Sequence, residues 1–268
     1  CWDSAHFASV AVDGYTNTMS RAFFPLFPLV LKILGKVLFS ISPFPLNDVE
    51  QVVLSGIVFN NFCFTLSCVV LNELLKAHNV PAIKRHCAIL CFTMNPASVF
   101  FCVLYSESMF ALLSWSGMYL LTVKKQILLP AACFACASFT RSNGIFNCAF
   151  VAIVSLNRYA ANSSHRGAVF RTAPQFFVFL AAVLPYVLYA KYTESMLCSN
   201  TNDRSDVCFE HDHVFAAMSI YSRIQKKYWN VSFLGSFRLR QLPNIALALP
   251  VILVSGQTLY LYFKQLVA

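Results

Sequence analysis

The residues best equipped for chemistry stand at the start of the chain, in Cys1-Trp2-Asp3-Ser4-Ala5-His6-Phe7. Asp3 and His6 are three positions apart, which sets a carboxylate and an imidazole on one side of a helical turn. That pairing suits a general base beside a proton carrier or a phosphate partner. It equally suits an amphipathic segment with a wet polar side. The stretch runs on through Asp13-Gly14-Tyr15 and Arg21-Ala22-Phe23-Phe24-Pro25-Leu26-Phe27-Pro28, so ionisable groups lie among aromatics just ahead of a long apolar sequence. Two further ionisable residues sit in tight turns. Glu107, in Tyr105-Ser106-Glu107-Ser108, has three readings: it orients a sugar hydroxyl, pairs with Arg141, or favours a helix N-terminus as any carboxylate does. Arg141, in Thr140-Arg141-Ser142-Asn143-Gly144, breaks an apolar stretch of about thirty residues. Arginine prefers phosphate or carboxylate partners, so it faces either a phosphate substrate or a lipid headgroup.

A third group lies near the end of the chain. Lys226-Lys227-Tyr228-Trp229-Asn230 and Arg240-Gln241-Leu242-Pro243-Asn244 place aromatics beside basic and amide groups. Such a set suits a sugar face plus a phosphate, and also an interfacial belt. His211-x-His213 imitates a metal pair but sits in a flexible, mixed-charge stretch that reads as solvated, so no metal site is assigned. Cys133-Phe134-Ala135-Cys136 imitates a redox pair, yet within an apolar run cysteine is a small hydrophobe. Cys198 and Cys208 flank a polar loop and would bridge in an oxidising compartment.

The elements that position these residues are membrane helices. The 268 residues are 58% hydrophobic and only 12% charged, with 26 Phe, and the mean hydropathy is +0.62. Lipid can cover that much apolar surface, whereas a soluble core cannot hide it. Uncharged runs at 52–72, 87–106, 108–123, 126–140, 142–157, 172–190 and 241–263 predict seven spans, several of them short. Pro96, in Met94-Asn95-Pro96, interrupts the second run and predicts a kink, with Asn95 available to the freed carbonyls. The run 22–41 carries Pro25 and Pro28, then Lys32 and Lys36 one turn apart, and predicts a helix lying on the membrane with its lysines turned up. The expected organisation is therefore 1–50 as a luminal loop with an interfacial helix, 51–190 as membrane helices, 191–242 as a second luminal loop and 243–264 as a last span. Lys and Arg concentrate in alternate short loops, at 76–86, 124–125 and 158–171, which predicts those to be cytosolic. The other face then collects Asp3, His6, Asp48, Glu50, Glu107, Arg141, Asn143 and the segment 191–240. The net charge of +9 is spread over these loops, and with no nucleic-acid motif present it does not point to nucleic acid. The chain opens on Cys1, not Met, and stops just after an apolar run, so we expect a fragment with membrane helices on either side of it.

One ordered set of motifs is familiar. Trp2-Asp3-x-x-His6-Phe7, Gly14-Tyr15, Ala22-Phe23-Phe24-Pro25-x-Phe27-Pro28, Asn95-Pro96-Ala97, Tyr105-Ser106-Glu107-Ser108, Arg141-Ser142-Asn143-Gly144, Tyr228-Trp229-Asn230-Val231 and Gln241-x-Pro243-Asn244 follow one another along nearly the whole chain. Together they resemble the GPI mannosyltransferase 2 family, the second mannosyltransferases of GPI-anchor synthesis. The resemblance implies an all-α, multi-pass GT-C glycosyltransferase of the endoplasmic reticulum membrane. It implies dolichyl-phosphate-mannose as the lipid-linked donor, the glycolipid GPI precursor as acceptor, an α-1,6 bond formed on the luminal side, membrane lipids around the enzyme and room for a small membrane subunit. No cofactor is required, and there is no Gly-rich phosphate loop for a nucleotide. Two positions depart from the family pattern. Thr18 stands where an acid is usual after the motif glycine, and Arg238-Leu239-Arg240-Gln241 lacks the usual acid before the last motif. These leave Asp3 as the candidate base.

The donor implied is β-linked and the product α-linked, so one in-line displacement inverts the sugar. The assignments that follow are Asp3 as base, His6 as its neighbour or a phosphate donor, and Arg141 or Arg240 on phosphate, with Trp2 and Trp229 stacking on sugar faces. Glu107, Asn143, Tyr228, Gln241 and Asn244 complete the substrate-binding set. Two other functions compete. A transporter or channel calls for ionisable groups near the midplane and an internal repeat, whereas here the charges lie at one rim and no repeat is visible. A non-catalytic assembly subunit is opposed only by the acid-plus-His motif.

Overall fold

The computed structural model describes residues 2–39, 45–160, 165–198, 206–208, 216–231 and 242–267, and among these the chain is all helical, without a strand. In order, the helices are α1 (Trp2–Asp13), α2 (Leu26–Phe39), α3 (Asp48–Ala77), α4 (Ala82–Thr93), α5 (Val99–Cys102), α6 (Glu107–Thr122), α7 (Leu128–Thr140), α8 (Asn147–Ala160), α9 (His165–Cys198), α10 (Ala216–Trp229) and α11 (Leu242–Val267). Short 3₁₀ turns occupy Met19–Ala22, Ser142–Phe146 and Asp206–Cys208.

The apolar runs of the sequence fall mostly on helix, but the helices are unequal. Two segments, Asp48–Ala77 and Ala173–Cys198, are long and apolar enough to cross a membrane. Leu128–Thr140 and Ile245–Thr258 are shorter apolar helices. Against the expected seven spans, two helices among the described residues are long and apolar enough to cross. The run 87–106 is not one kinked helix. α4 ends at Thr93 and α5 begins at Val99. Pro96 can donate no backbone hydrogen bond, and Asn95 takes over locally. Its amide donates to the Phe92 carbonyl at 2.8 Å, while its side-chain oxygen accepts from the Ala97 N–H at 2.7 Å.

α3 is the central post. Asn47 caps it, accepting from the Glu50 N–H while the Glu50 carboxylate accepts from the Asn47 N–H, both at 2.9 Å. This reciprocal box satisfies two donors that a helix start leaves open. α2 and α6 pack on α3, α7 lies between α6 and α9, and α8 packs on α9. Gly117 of α6 permits the approach of α7, since a Cβ there would stand 2.5 Å from the Phe134 ring. Outward faces of several helices stay apolar, with Val58 and Phe62 exposed on α3, Leu180, Leu184 and Leu188 on α9, and Leu247, Val251 and Leu253 on α11.

The run 22–41 yields α2, which buries Phe27, Pro28, Leu31 and Gly35 and exposes Leu29, Ile33 and Val37. Lys36 is exposed, but Lys32 turns back to donate to the Val12 carbonyl at 3.4 Å. The end of α1 leaves that carbonyl without a helical partner, and a lysine within reach takes it. Within 191–242, read from the sequence as a loop, the described residues include helix. α9 continues to Cys198, and α10 forms because Ile220 and Ile224, one turn apart, are buried against its neighbours. Cys198 and Cys208 form a disulfide with Cα atoms 5.5 Å apart. It ties the end of α9 to the 3₁₀ turn that packs on α10.

Candidate active site

Five pieces of chain meet around a cavity of about 680 Å³. The first is α1. Asp3 lies in its first turn and His6 one turn later, and both line the cavity. Behind them Phe7 is buried edge-on against Phe23 and Phe27, each at 5.0 Å between ring centroids. The His6 ring stacks on Phe23 at 5.0 Å and meets the edge of Trp229 at 6.5 Å. The imidazole is therefore fixed between two aromatic surfaces, and its orientation is set by packing.

The second piece carries Phe23 and Phe24. Gly14, at φ +78°, turns the chain out of α1 in a conformation that L side chains rarely adopt. The returning backbone is then clamped by phenols. Tyr15 donates to the Phe23 carbonyl at 2.7 Å, and the Tyr189 hydroxyl lies 3.0 Å from the Arg21 carbonyl and 3.2 Å from that of Phe23. Burial pushes the Tyr15 phenol up to about 12, so it remains a neutral donor at physiological pH. The Arg21 guanidinium sits over the rings of Tyr15 and Tyr192, at 5.4 and 5.7 Å.

The third piece is the entry to α6. Asn60, fully buried on α3, donates to the carbonyls of Val103 and Tyr105. One side chain thus holds the strand-like stretch that delivers Tyr105, Ser106 and Glu107 to the cavity. The fourth piece is the corner after α7. Gly144 lies directly on the backbone of Ser138, where a Cβ would come within 2.4 Å, so only glycine closes this corner. The corner turns Arg141 toward α6, and Arg141 forms an ion pair with Glu107. Both side chains keep partial exposure, 29% and 24%, so the pair is wet on one side. Its Coulombic contribution is accordingly modest. Its geometric effect is larger, because Glu107 engages one guanidinium nitrogen and leaves the fork its other donors.

α10 closes the cavity with Tyr221, Gln225 and Trp229, spaced at i, i+4 and i+8 on one face. Of the residues singled out from the sequence, Asp3, His6, Glu107, Arg141 and Trp229 meet here. Asn143 does not line this cavity. It borders a neighbouring groove of about 320 Å³, shared with Glu107 and Arg141 and walled by Phe92, Phe101 and Trp115. Tyr228 is exposed on the other side of α10, beneath the Lys227 ammonium at 5.5 Å. The side chains of Trp2 and Asn244, and all of Arg240, Gln241, His211 and His213, lie outside the described residues. Sequence reasoning missed Phe23, Phe24, Tyr221 and Gln225 as lining residues. The first two were quoted as a motif without a role. The last two had a signal in their four-residue spacing ahead of Trp229, inside a segment read as loop.

The arrangement combines two carboxylates, Asp3 and the Arg141-paired Glu107, with an imidazole held by aromatics, a positioned guanidinium and several hydroxyl and amide groups. It can accept a proton beside a bound polyol and hold an anion at the same time. No group of three or more His, Cys, Asp or Glu with metal-binding geometry occurs among the described residues. Comparison with known proteins adds the lineage. The chain is 29% identical over 274 residues to GPI mannosyltransferase 2 of Cryptococcus neoformans var. neoformans serotype D, covering 100% of this chain and 63% of that protein. It is 29% identical over 289 residues to human GPI alpha-1,6-mannosyltransferase 2, covering 96% of this chain and 56% of that protein. GPI mannosyltransferase 2 of Drosophila pseudoobscura pseudoobscura is 28% identical over 296 residues, with 100% and 64% covered. The chain thus spans less than two thirds of the length of these relatives. No solved structure matches it. Residues 1–267 match the family described as Mannosyltransferase (PIG-V), and the chain therefore belongs to the PIG-V mannosyltransferase family.

Proposed function

We propose that this chain carries the catalytic cavity of a membrane mannosyltransferase that moves mannose from dolichyl-phosphate-mannose to the first mannose of the GPI precursor. The new bond is α-1,6, and the reaction takes place on the luminal side of the endoplasmic reticulum membrane. The observation that carries this reading is the convergence of Asp3, His6, Glu107 and Arg141 on one aromatic-walled cavity. These residues come from elements far apart in the sequence, and charge patterning of the loops assigns all four to the luminal side. The apolar outward faces of α3, α9 and α11 fit a multi-pass GT-C bundle in lipid.

In this reaction the acceptor hydroxyl attacks the anomeric carbon opposite the phosphate. The carbon–oxygen bond to phosphate breaks, the electron pair leaves on dolichyl phosphate, and the hydroxyl proton passes to the Asp3 carboxylate. Arg141 offers its free donors to the leaving phosphate, while Glu107 holds the guanidinium in place. His6, fixed on Phe23, stands beside Asp3 as a second polar contact. The aromatic surfaces of Phe23 and Trp229 suit the apolar face of a sugar.

Asp3→Asn in the full-length enzyme tests the assignment. Loss of a general base is expected to lower the rate by about 10²–10⁴, and the lipid intermediate with one mannose accumulates at unchanged protein abundance. Asp3 also sits where a helix N-terminus favours a carboxylate. Asn at this first-turn position gives up only the charge–dipole attraction, about 0.3–1 kcal/mol. Full complementation of a deficient cell line by the Asn variant would therefore remove Asp3 from catalysis and leave it a helix-end role.

A further inference from the structure

Resting on the reaction proposed above, we infer that Ser142, Tyr221 and Gln225 form the wall of the cavity that reads two neighbouring hydroxyls of the hexose. The case begins with a count of protons. The Ser142 hydroxyl and the Tyr221 phenol are hydrogen-bonded at 3.0 Å, and the Gln225 amide donates to the same phenol oxygen at 3.1 Å. Two hydroxyls share one bond, so one of their two protons is used between them whichever way the bond runs. The other has no acceptor among the described residues. The Gln225 amide gives one N–H to the phenol and keeps the other, and its carbonyl keeps its acceptor capacity. The wall thus presents one O–H donor and one carbonyl acceptor side by side, and all three residues line the cavity.

These groups are held in place. Ile220 and Ile224 root α10, at 1% and 0% exposure. The Tyr221 ring is gripped edge-on by Phe24 at 5.8 Å and by Tyr186 at 6.4 Å. A fixed donor beside a fixed acceptor matches a pair of adjacent sugar hydroxyls, one taking the proton and one giving its own. The aromatic surfaces of Phe23, His6 and Trp229 line the same cavity and suit the carbon face of the ring. The volume, about 680 Å³, lies in the roughly 300–1,000 Å³ range of small-molecule sites. Sites built to hydrogen-bond a hydroxyl discriminate against ligands that present it wrongly, because their own polar groups are then left unpaired.

Three variants of the full-length enzyme in detergent test this: Tyr221→Phe, Gln225→Leu and Ser142→Ala. Transfer kinetics are measured with the mannosyl lipid donor and its glucosyl epimer, and saturation-transfer NMR follows methyl α-mannoside and methyl α-glucoside. Tyr221→Phe keeps the ring and removes a proton, so each of the first two variants is expected to lose roughly tenfold in kcat/KM, mainly through KM. Each also loses the preference for manno over gluco. Ser142→Ala leaves Tyr221 its proton and loses less. If all three variants slow transfer equally and keep the epimer ratio, the three residues are only a bridge between α10 and the Arg141 corner, and the inference is overturned. The same holds if KM, epimer ratio and mannoside contact are unchanged in Tyr221→Phe and Gln225→Leu. Should the wild type transfer no mannose yet bind the mannoside in a Tyr221-dependent way, the reaction proposed above falls and the hydroxyl-reading wall stands. If Tyr221→Phe does not accumulate, Gln225→Leu decides by the same readouts.

Discussion

The two ends of the helix bundle are held together by different forces. Around the cavity, backbone segments without regular structure are pinned by side chains: Asn60 on the carbonyls before α6, Tyr15 and Tyr189 on those before α2, and Ser142 on the phenol of α10. At the other end, Leu121, Phe134, Val151 and Val178 are fully buried in an apolar cluster between α6, α7, α8 and α9. There the polar side chains mostly satisfy their own helices, as Thr122 does on the Met118 carbonyl and Ser155 on that of Val151. Apolar packing tolerates exchange of one hydrophobe for another of similar volume, whereas a directed hydrogen bond does not. The cavity end therefore trades tolerance for placement, and the far end supplies stability.

Truncation at each end tests this division. Asp3→Asn, as proposed, has the largest effect on rate and none on abundance. Phe134→Ala should do the opposite. It leaves a hole against Gly117 and is expected to cost about 3–5 kcal/mol, read as a drop in thermal midpoint with kcat little changed in the surviving enzyme. A marked fall in kcat without loss of stability would break the comparison. Removing the disulfide by Cys198→Ser is expected to cost about 2–3 kcal/mol, and its failure mode is specific: α10 loosens, so KM rises before the protein unfolds. Peptide mapping under non-reducing conditions that found Cys198 and Cys208 as free thiols would withdraw either the pairing or the luminal placement.

Arg141→Ala removes a charge-assisted contact of about 1.5–3 kcal/mol, and roughly ten- to a hundredfold is expected in donor use at normal membrane levels. Wild-type kinetics in that variant would reduce Arg141 to a partner of Glu107 or a lipid headgroup. The smallest effect belongs to the clamp. Tyr15→Phe loses one hydrogen bond, about 0.5–1.5 kcal/mol. Tyr15 also predicts a pH dependence. Its neutral form is favoured in the fold, with the phenol raised from 10.0 to about 12, so its stabilisation is complete below pH 10 and is lost as pH rises through about 12. The alkaline destabilisation over that window should shrink in the Phe variant, and a window that does not move would show that the phenol is not buried.

Several features were legible in the sequence because they depend on neighbours only. The helices follow the apolar runs, Asn95 serves the carbonyl freed near Pro96, and the position of Asp3 and His6 on one face is a matter of helical period. Cys198 and Cys208 were paired by proximity along the chain. Where the sequence offered alternatives, contacts over long separations chose between them. Glu107 had three readings, and only the packing of α7 beside α6, with Gly144 closing the corner, made it the partner of Arg141. The break at Pro96 was expected as a bend, but Asn60, from a helix more than thirty residues earlier, holds the chain extended at 103–105 and leaves α5 a single turn. The periodicity of α10 could be read from its residues, yet which face meets the cavity could not. That choice belongs to Phe24, Tyr186 and the disulfide, which fix the rotation of α10 about its axis. Local spacing determines which side chains share a face, whereas the direction that face points is settled by the partners it buries, and those lie far away in the chain.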